Sequence, residues 1–261
     1  MNVLQILGGP LSSGAGKGTL ALHRALRDLG VDSRLLVRFE RDLPDDLNAS
    51  RFTLSSRIPV SLANRIYLAT LEARFGKPNG LFHPISFGLA PQKHPLFHWA
   101  DVIHVQWAHA ATFGPRFWQH LRTETRPFLF SLRDMWLFTG GCHFSDGCTG
   151  FTHACHRCPK LSNIEQTLTS SDLNTKAASY PRKSVFVAIS NSIAEEARKS
   201  RALTNRDVRV IPNSIDTDDF APVPQVHARR ELSLPSNAFI IGAGAINLSD
   251  PRKGGHALRA A

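Results

Sequence analysis

Two groups of residues in this chain have types and spacings that could do chemistry. The first is Cys142, Cys148, Cys155 and Cys158, spaced C-x5-C-x6-C-x2-C within seventeen positions, with His143, His153 and His156 interleaved. Four clustered thiols in a reducing compartment hold zinc tetrahedrally more often than they pair as disulfides. Structural zinc on the four cysteines is the expectation, with disulfides and free thiols as the alternatives. A metal would also order a loop this poor in apolar residues. Nothing in the spacing implies an open coordination position, so no catalytic metal is expected.

The second group is the glycine cluster GGPLSSGAGKGT, residues 8–19. A phosphate loop has the form G-x-x-x-x-G-K-[ST], its ring amides wrapping the phosphates and its lysine reaching the outer ones. Here Leu11 stands five positions before Gly16, where the first ring glycine should be. Counting from Gly9 instead puts Ala15 where the lysine belongs. The dinucleotide fingerprint G-x-G-x-x-G fails at its last spacing. What remains is a glycine-rich turn that lets a ligand approach backbone and a positive helix end, or a merely flexible turn.

The elements that must position these groups alternate between strand and helix. Residues 3–7 (VLQIL) read as a strand, followed by a helix with Leu22, Ala25, Leu26 and Leu29 on one face and Gly30 at its end. Residues 33–37 form a second strand, and Leu68, Leu71 and Phe75 mark a helix stopped by Gly76 and Pro78. Strands at 101–106 and 128–132 flank a helix at 115–121. After the Cys/His-rich segment, 134–163, come a strand at 185–189 and a helix with a capping box at Ser192-Ile193-Ala194-Glu195. Further strands fall at 208–211 and 238–243. This alternation predicts an α/β fold, a parallel sheet covered by helices on both faces.

Composition narrows the class. The chain has 261 residues, of which 42% are hydrophobic, enough for a core. It shows no apolar run long enough to span a bilayer and no secretory signal, which predicts a cytoplasmic protein. A net charge of +10 favours anionic partners, whether phosphorylated substrates, acidic lipid or nucleic acid. The basic residues form no run and no stripe with interleaved aromatics, so nucleic acid is not expected.

Residues 131–145, SLRDMWLFTGGCHFS, with the trailing CHRCPKL of 155–161, resemble the "TLHDMWPFTGGCHY…C…C..CPQL" segment of family-4 glycosyltransferases. Within that family the segment is similar to that of the colanic acid and exopolysaccharide biosynthesis enzymes. Other segments agree in order: GAGKGTLALHRAL from Gly14 resembles the family's first glycine loop and helix, and DVIHVQW from Asp101 its "DIIHLHW". AISN from Ala188 resembles "APSxW", departing at Asn191 and Ser192. IPNSIDTDDF from Ile211 resembles "IPNGIDTDxF", and DPRKG from Asp250 resembles "DxRKG".

The resemblance implies a GT-B glycosyltransferase with two Rossmann-like domains. Residues 1–215 would form the N-terminal acceptor side and 216–261 the linker and first strand and loop of a truncated donor-binding domain. The donor would be a nucleotide-diphosphate sugar and the acceptor a saccharide or lipid-linked saccharide, with retention of configuration and peripheral contact with an anionic membrane. On this reading His109 is the cleft histidine near the transferred sugar. Gly14, Ala15, Gly16, Arg252 and Lys253 bind the donor, and Arg133 and Asp134 face the cleft. Two readings from other classes stay open: a nucleotide kinase, and a zinc-dependent nucleic-acid-binding module.

Overall fold

A computed structural model describes residues 1–38, 43, 45–52, 60–108, 112–162, 167–245 and 247–260. Two compact units divide the chain, Met1–Ser214 and Ile215–Ala261.

The first unit opens with β1 (Asn2–Leu7), α1 (Gly14–Asp28), β2 (Asp32–Val37), the short edge strand β3 (Ala49–Arg51), α2 (Val60–Phe75) and α3 (Pro95–Trp99). It continues with β4 (Val102–Trp107), α4 (Pro115–Leu121), β5 (Phe128–Leu132), α5 (Thr167–Ser179), β6 (Ser184–Ala188), α6 (Asn191–Lys199) and β7 (Asp207–Val210). The seven strands form one parallel sheet in the order β3-β2-β1-β4-β5-β6-β7. The order reverses between β1 and β4, and open α/β sheets place their ligand crevice at such a switch point, beyond the strands' carboxyl ends.

The predicted strands and helices of this unit form, with boundaries shifted by a residue or two. Gly30 and Gly76 end α1 and α2 with φ of 76° each, a left-handed conformation that glycine adopts without strain. The cap of α6 differs from expectation. Ser190, not Ser192, stands at the N-cap and accepts from the Ile193 N–H at 3.3 Å. The sequence motif is displaced because the backbone turns helical directly after the β6 end.

The two faces of the sheet are packed differently. One carries Leu4, Ile6, Ile103, Val105, Phe128 and Phe130 into an aromatic core with Phe97, Phe117, Trp118, Trp136 and Phe186. Each such side chain, fully buried, contributes about 1.5–3 kcal/mol. The other face, under α1, is apolar at Leu7, Leu35 and Val37 but polar at its centre. There Gln5, Ser33, His104, Gln106 and Ser131 are all buried, at alternate positions of four neighbouring strands.

The second unit contains α7 (Gln225–Glu231) and α8 (Gly255–Ala260). The strand expected at 238–243 does not form. Phe239, Ile240 and Ile241 are exposed, and Phe239 is 91% accessible. An apolar run becomes a strand only when a neighbour takes its backbone hydrogen bonds, and none of the seven strands lies in this unit.

Candidate active site

The buried polar residues under α1 form a continuous chain of hydrogen bonds that ends on Arg133. His23 of α1 meets the Ser33 hydroxyl at 2.9 Å, and Gln5 Nε2 donates to the same oxygen at 2.9 Å. Gln106 Nε2 donates to Gln5 Oε1 at 2.9 Å. Gln106 Oε1 then accepts from Arg133 Nη2 at 2.8 Å, while Arg133 Nε donates to the Gln106 carbonyl at 3.0 Å. A third bond, Arg133 Nη1 to Asn213 Oδ1, is 3.1 Å long. The guanidinium is thus held in one orientation at the carboxyl end of β5.

Gly18 explains how α1 comes so close. A methyl group at Gly18 would stand 3.0 Å from Arg133 Nη1. The other glycines of the cluster serve different ends. Gly16 is buried against the Pro10 and Leu11 carbonyls, where a side chain would lie 2.4 Å from both. Gly8 and Gly9 pack on Thr112 and the Trp107 ring. Gly14, Ala15 and Gly16 are the first turn of α1, capped by Ser13, whose Oγ accepts from the Gly16 N–H at 3.0 Å. Lys17 is exposed on the same turn.

Asp134, the next residue, anchors a second network. Its Oδ2 accepts from His143 Nδ1 at 2.7 Å and from Trp107 Nε1 at 2.8 Å, and its Oδ1 accepts from the Trp136 N–H at 2.8 Å. Burial alone would push the Asp134 carboxyl up, but these three donors outweigh it and hold the group below the usual range, hence ionised. His143 Nε2 in turn meets His83 Nδ1 at 3.0 Å. Burial and the adjacent His143, partly offset by Asp134, lower His83 to about 4. With the carboxylate ionised, His143 donates to it from Nδ1. Burial, with Arg133 nearby, lowers His104 to about 3, so it is neutral in the fold.

The segment that carries His143 is tied to the rest by backbone. Cys142 bridges Phe82, the His83 N–H donates to the Gly141 carbonyl at 2.8 Å, and the His143 N–H donates to the Leu81 carbonyl at 3.1 Å. Beneath it, the fully buried Lys176 of α5 donates to the Trp136 carbonyl at 2.6 Å and the Thr139 carbonyl at 2.9 Å. Lys176 also lies 3.9 Å from the centre of the Trp136 ring. Asp172, one turn earlier, accepts from the Ile85 N–H at 2.6 Å.

All four cysteines are unpaired, and among the described residues no three Cys, His, Asp or Glu side chains already stand in the geometry of a metal shell. The zinc expectation is therefore not met by a preformed shell. Burial pushes the thiols of Cys142 and Cys158 up, and that of Cys155 up to about 12.

The remaining predicted residues divide as follows. Arg133 and Asp134 lie together at the β5 end, facing α1 and the Trp107 end of β4. His109 lies outside the described residues. Arg252, in the second unit, forks onto Asp250 with bonds of 2.9 and 2.5 Å. Lys253 is exposed in the adjoining turn. Gln106 and His143 were not singled out as site residues by the sequence reading. Polar residues inside otherwise apolar strands, in VLQIL and VIHVQW, were the signal for the first; nothing local distinguishes His143 from its neighbouring histidines.

The model of Glycosyltransferase Family 4 matches residues 12–219 of the chain. The chain belongs to glycosyltransferase family 4. It is similar to "Putative colanic acid biosynthesis glycosyl transferase WcaC" of Escherichia coli (strain K12), with 27% identity over 170 residues. That alignment covers 62% of this chain and 40% of the relative. Membership of the family accords with the parallel sheet, its switch point at β1 and β4, and the glycine-rich first turn. Among the described residues no helix is long and apolar enough to cross a membrane.

Proposed function

We propose that the first unit is the acceptor-side half of a GT-B enzyme. The enzyme transfers a sugar from a nucleoside-diphosphate sugar to a saccharide or lipid-linked saccharide during surface polysaccharide synthesis, with retention of configuration. The observation that carries this reading is the fixed guanidinium of Arg133 over Gly18, at the switch point of a family-4 sheet. In glycosyl transfer the sugar passes through an oxocarbenium-like state while negative charge grows on the departing diphosphate. Cations and amides already oriented toward that charge lower the barrier, because they need no reorganisation when it develops.

Arg133 supplies such a cation, held by Gln106 and Asn213 before any ligand arrives. The first turn of α1 lies beside it. Asp134, through His143, fixes the position of His83, whose imidazole is lowered to about 4 and stays neutral. His109 is assigned to the transferred sugar, and Arg252 and Lys253 to donor binding, on the family resemblance of their segments. The acceptor is a saccharide or a lipid-linked saccharide, the latter reached at an anionic membrane surface to which the net charge of +10 draws the protein.

The kinase reading fits less well. Leu11 stands where the first ring glycine of a phosphate loop should be, and Lys17 is exposed. The test is transfer of labelled sugar from a panel of nucleoside-diphosphate sugars to lipid-linked saccharide by the full-length protein. Transfer with at least one donor is expected, with binding weakened by Arg133→Ala. Magnesium-dependent ATP binding lost on Lys17→Ala, without any sugar-nucleotide binding, would instead establish the kinase.

A further inference from the structure

The cysteine segment has a geometry that neither the sheet nor glycosyl transfer requires. Cys142, Cys148, Cys155 and Cys158 come from three separate turns, yet all four line a single cavity of about 20 Å³. That is the scale of one water-sized body, so any ligand here is a single small species. His156 is the one other metal-ligating side chain on its wall.

The backbone around the cavity is arranged to serve sulfur. The Gly150 N–H donates to Cys148 Sγ at 3.4 Å. The Gly140 and Lys160 amides face the sulfurs of Cys155 and Cys158. Amides directed at sulfur stabilise thiolate and orient it, as the outer contacts of metal sites do. These placements cost local strain. Cys155 and Arg157 adopt left-handed φ of 50° and 55°, and so does Asp146 at 49°. Non-glycine residues hold such conformations only when their surroundings impose them.

We propose that Cys142, Cys148, Cys155 and Cys158 are the four ligands of one structural zinc ion. Binding displaces the four thiol protons and draws the sulfurs into one shell. This assignment is independent of the glycosyl-transfer reading, since it concerns what orders the loop and not what the cleft binds.

Metal analysis of the purified 261-residue chain tests it. One zinc per chain is expected, falling to none in Cys155→Ser and Cys158→Ser. Replacement by cobalt should give a thiolate-to-metal charge-transfer band and the intense visible bands of a tetrahedral site. His156→Ala should keep its zinc; its loss there would overturn the all-cysteine shell. A folded wild-type chain without stoichiometric metal, its four thiols open to a thiol reagent or joined as disulfides, would overturn the site itself. Should the serine variants fail to fold, the zinc content and cobalt spectrum of the wild-type chain decide the matter.

Discussion

At the scale of single residues, Arg133 and Asp134 are neighbours with separate supports, and substitutions should separate their roles. Asp134→Asn keeps the shape but removes the charge that His143 and Trp107 answer. It should cost about 1–3 kcal/mol in urea unfolding, because buried donors lose a charged acceptor. Gly18→Ala is expected to behave differently. Its new methyl would crowd the Arg133 guanidinium at 3.0 Å, the far end of a side chain that can move. Stability should therefore change by less than about 1 kcal/mol, alanine being the better helix former, while sugar-nucleotide binding weakens. Unchanged binding in a folded Gly18→Ala protein would argue that the guanidinium's position over α1 is immaterial.

At the scale of elements, α1 offers a graded test of its glycines. Gly14→Ala meets open space and should stabilise the protein by up to about 1 kcal/mol. Gly16→Ala drives a methyl to 2.4 Å from two backbone carbonyls and should cost several times that, since backbone cannot yield as a side chain does. Thermal melts of the two variants should therefore move in opposite directions. The buried Lys176 is the corresponding support of α5. Lys176→Met leaves two carbonyls without their donor and Asp172 without its cation, so a loss of about 3–5 kcal/mol is expected. A near-neutral Lys176→Met would mean that the α5 contact does not hold the 136–139 turn in place.

At the scale of the whole molecule, the buried histidines set the acid limb of stability. His104 and His83 are lowered to about 3 and about 4 from an ordinary 6.5. Between those values and pH 6.5 the unfolded chain binds protons that the folded chain refuses. Their contribution is thus complete above about pH 6.5 and is lost as pH falls toward 3, at up to about 1.4 kcal/mol per pH unit for each group. The Asp172 carboxyl, raised by burial, titrates in the opposite sense. Comparing wild type with His104→Gln isolates the histidine: the variant should lose less stability between pH 6.5 and 4. Parallel curves for the two proteins would show that His104 is not kept neutral by the fold.

The alternating strands and helices of the first unit were legible because burial imposes periods of two and 3.6 on the sequence, and because Gly30 and Gly76 punctuate it. The glycine cluster was legible as a turn before a helix, and Arg133 and Asp134 as the end of a strand. Other features depended on partners far along the chain. The run at 238–243 has the composition of a strand and forms none, since pairing is a property of two segments. His143 reads as one of three spare histidines until the fold sets it 2.7 Å from Asp134. Gln5 and Gln106 are 101 positions apart, and only the β1–β4 crossover makes them one hydrogen-bonded chain that aims Arg133. Sequence by itself determined the layers, the family resemblance and the four thiols; tertiary structure decided which polar groups share a bond, because hydrogen bonds act over a few ångströms and ignore distance along the chain.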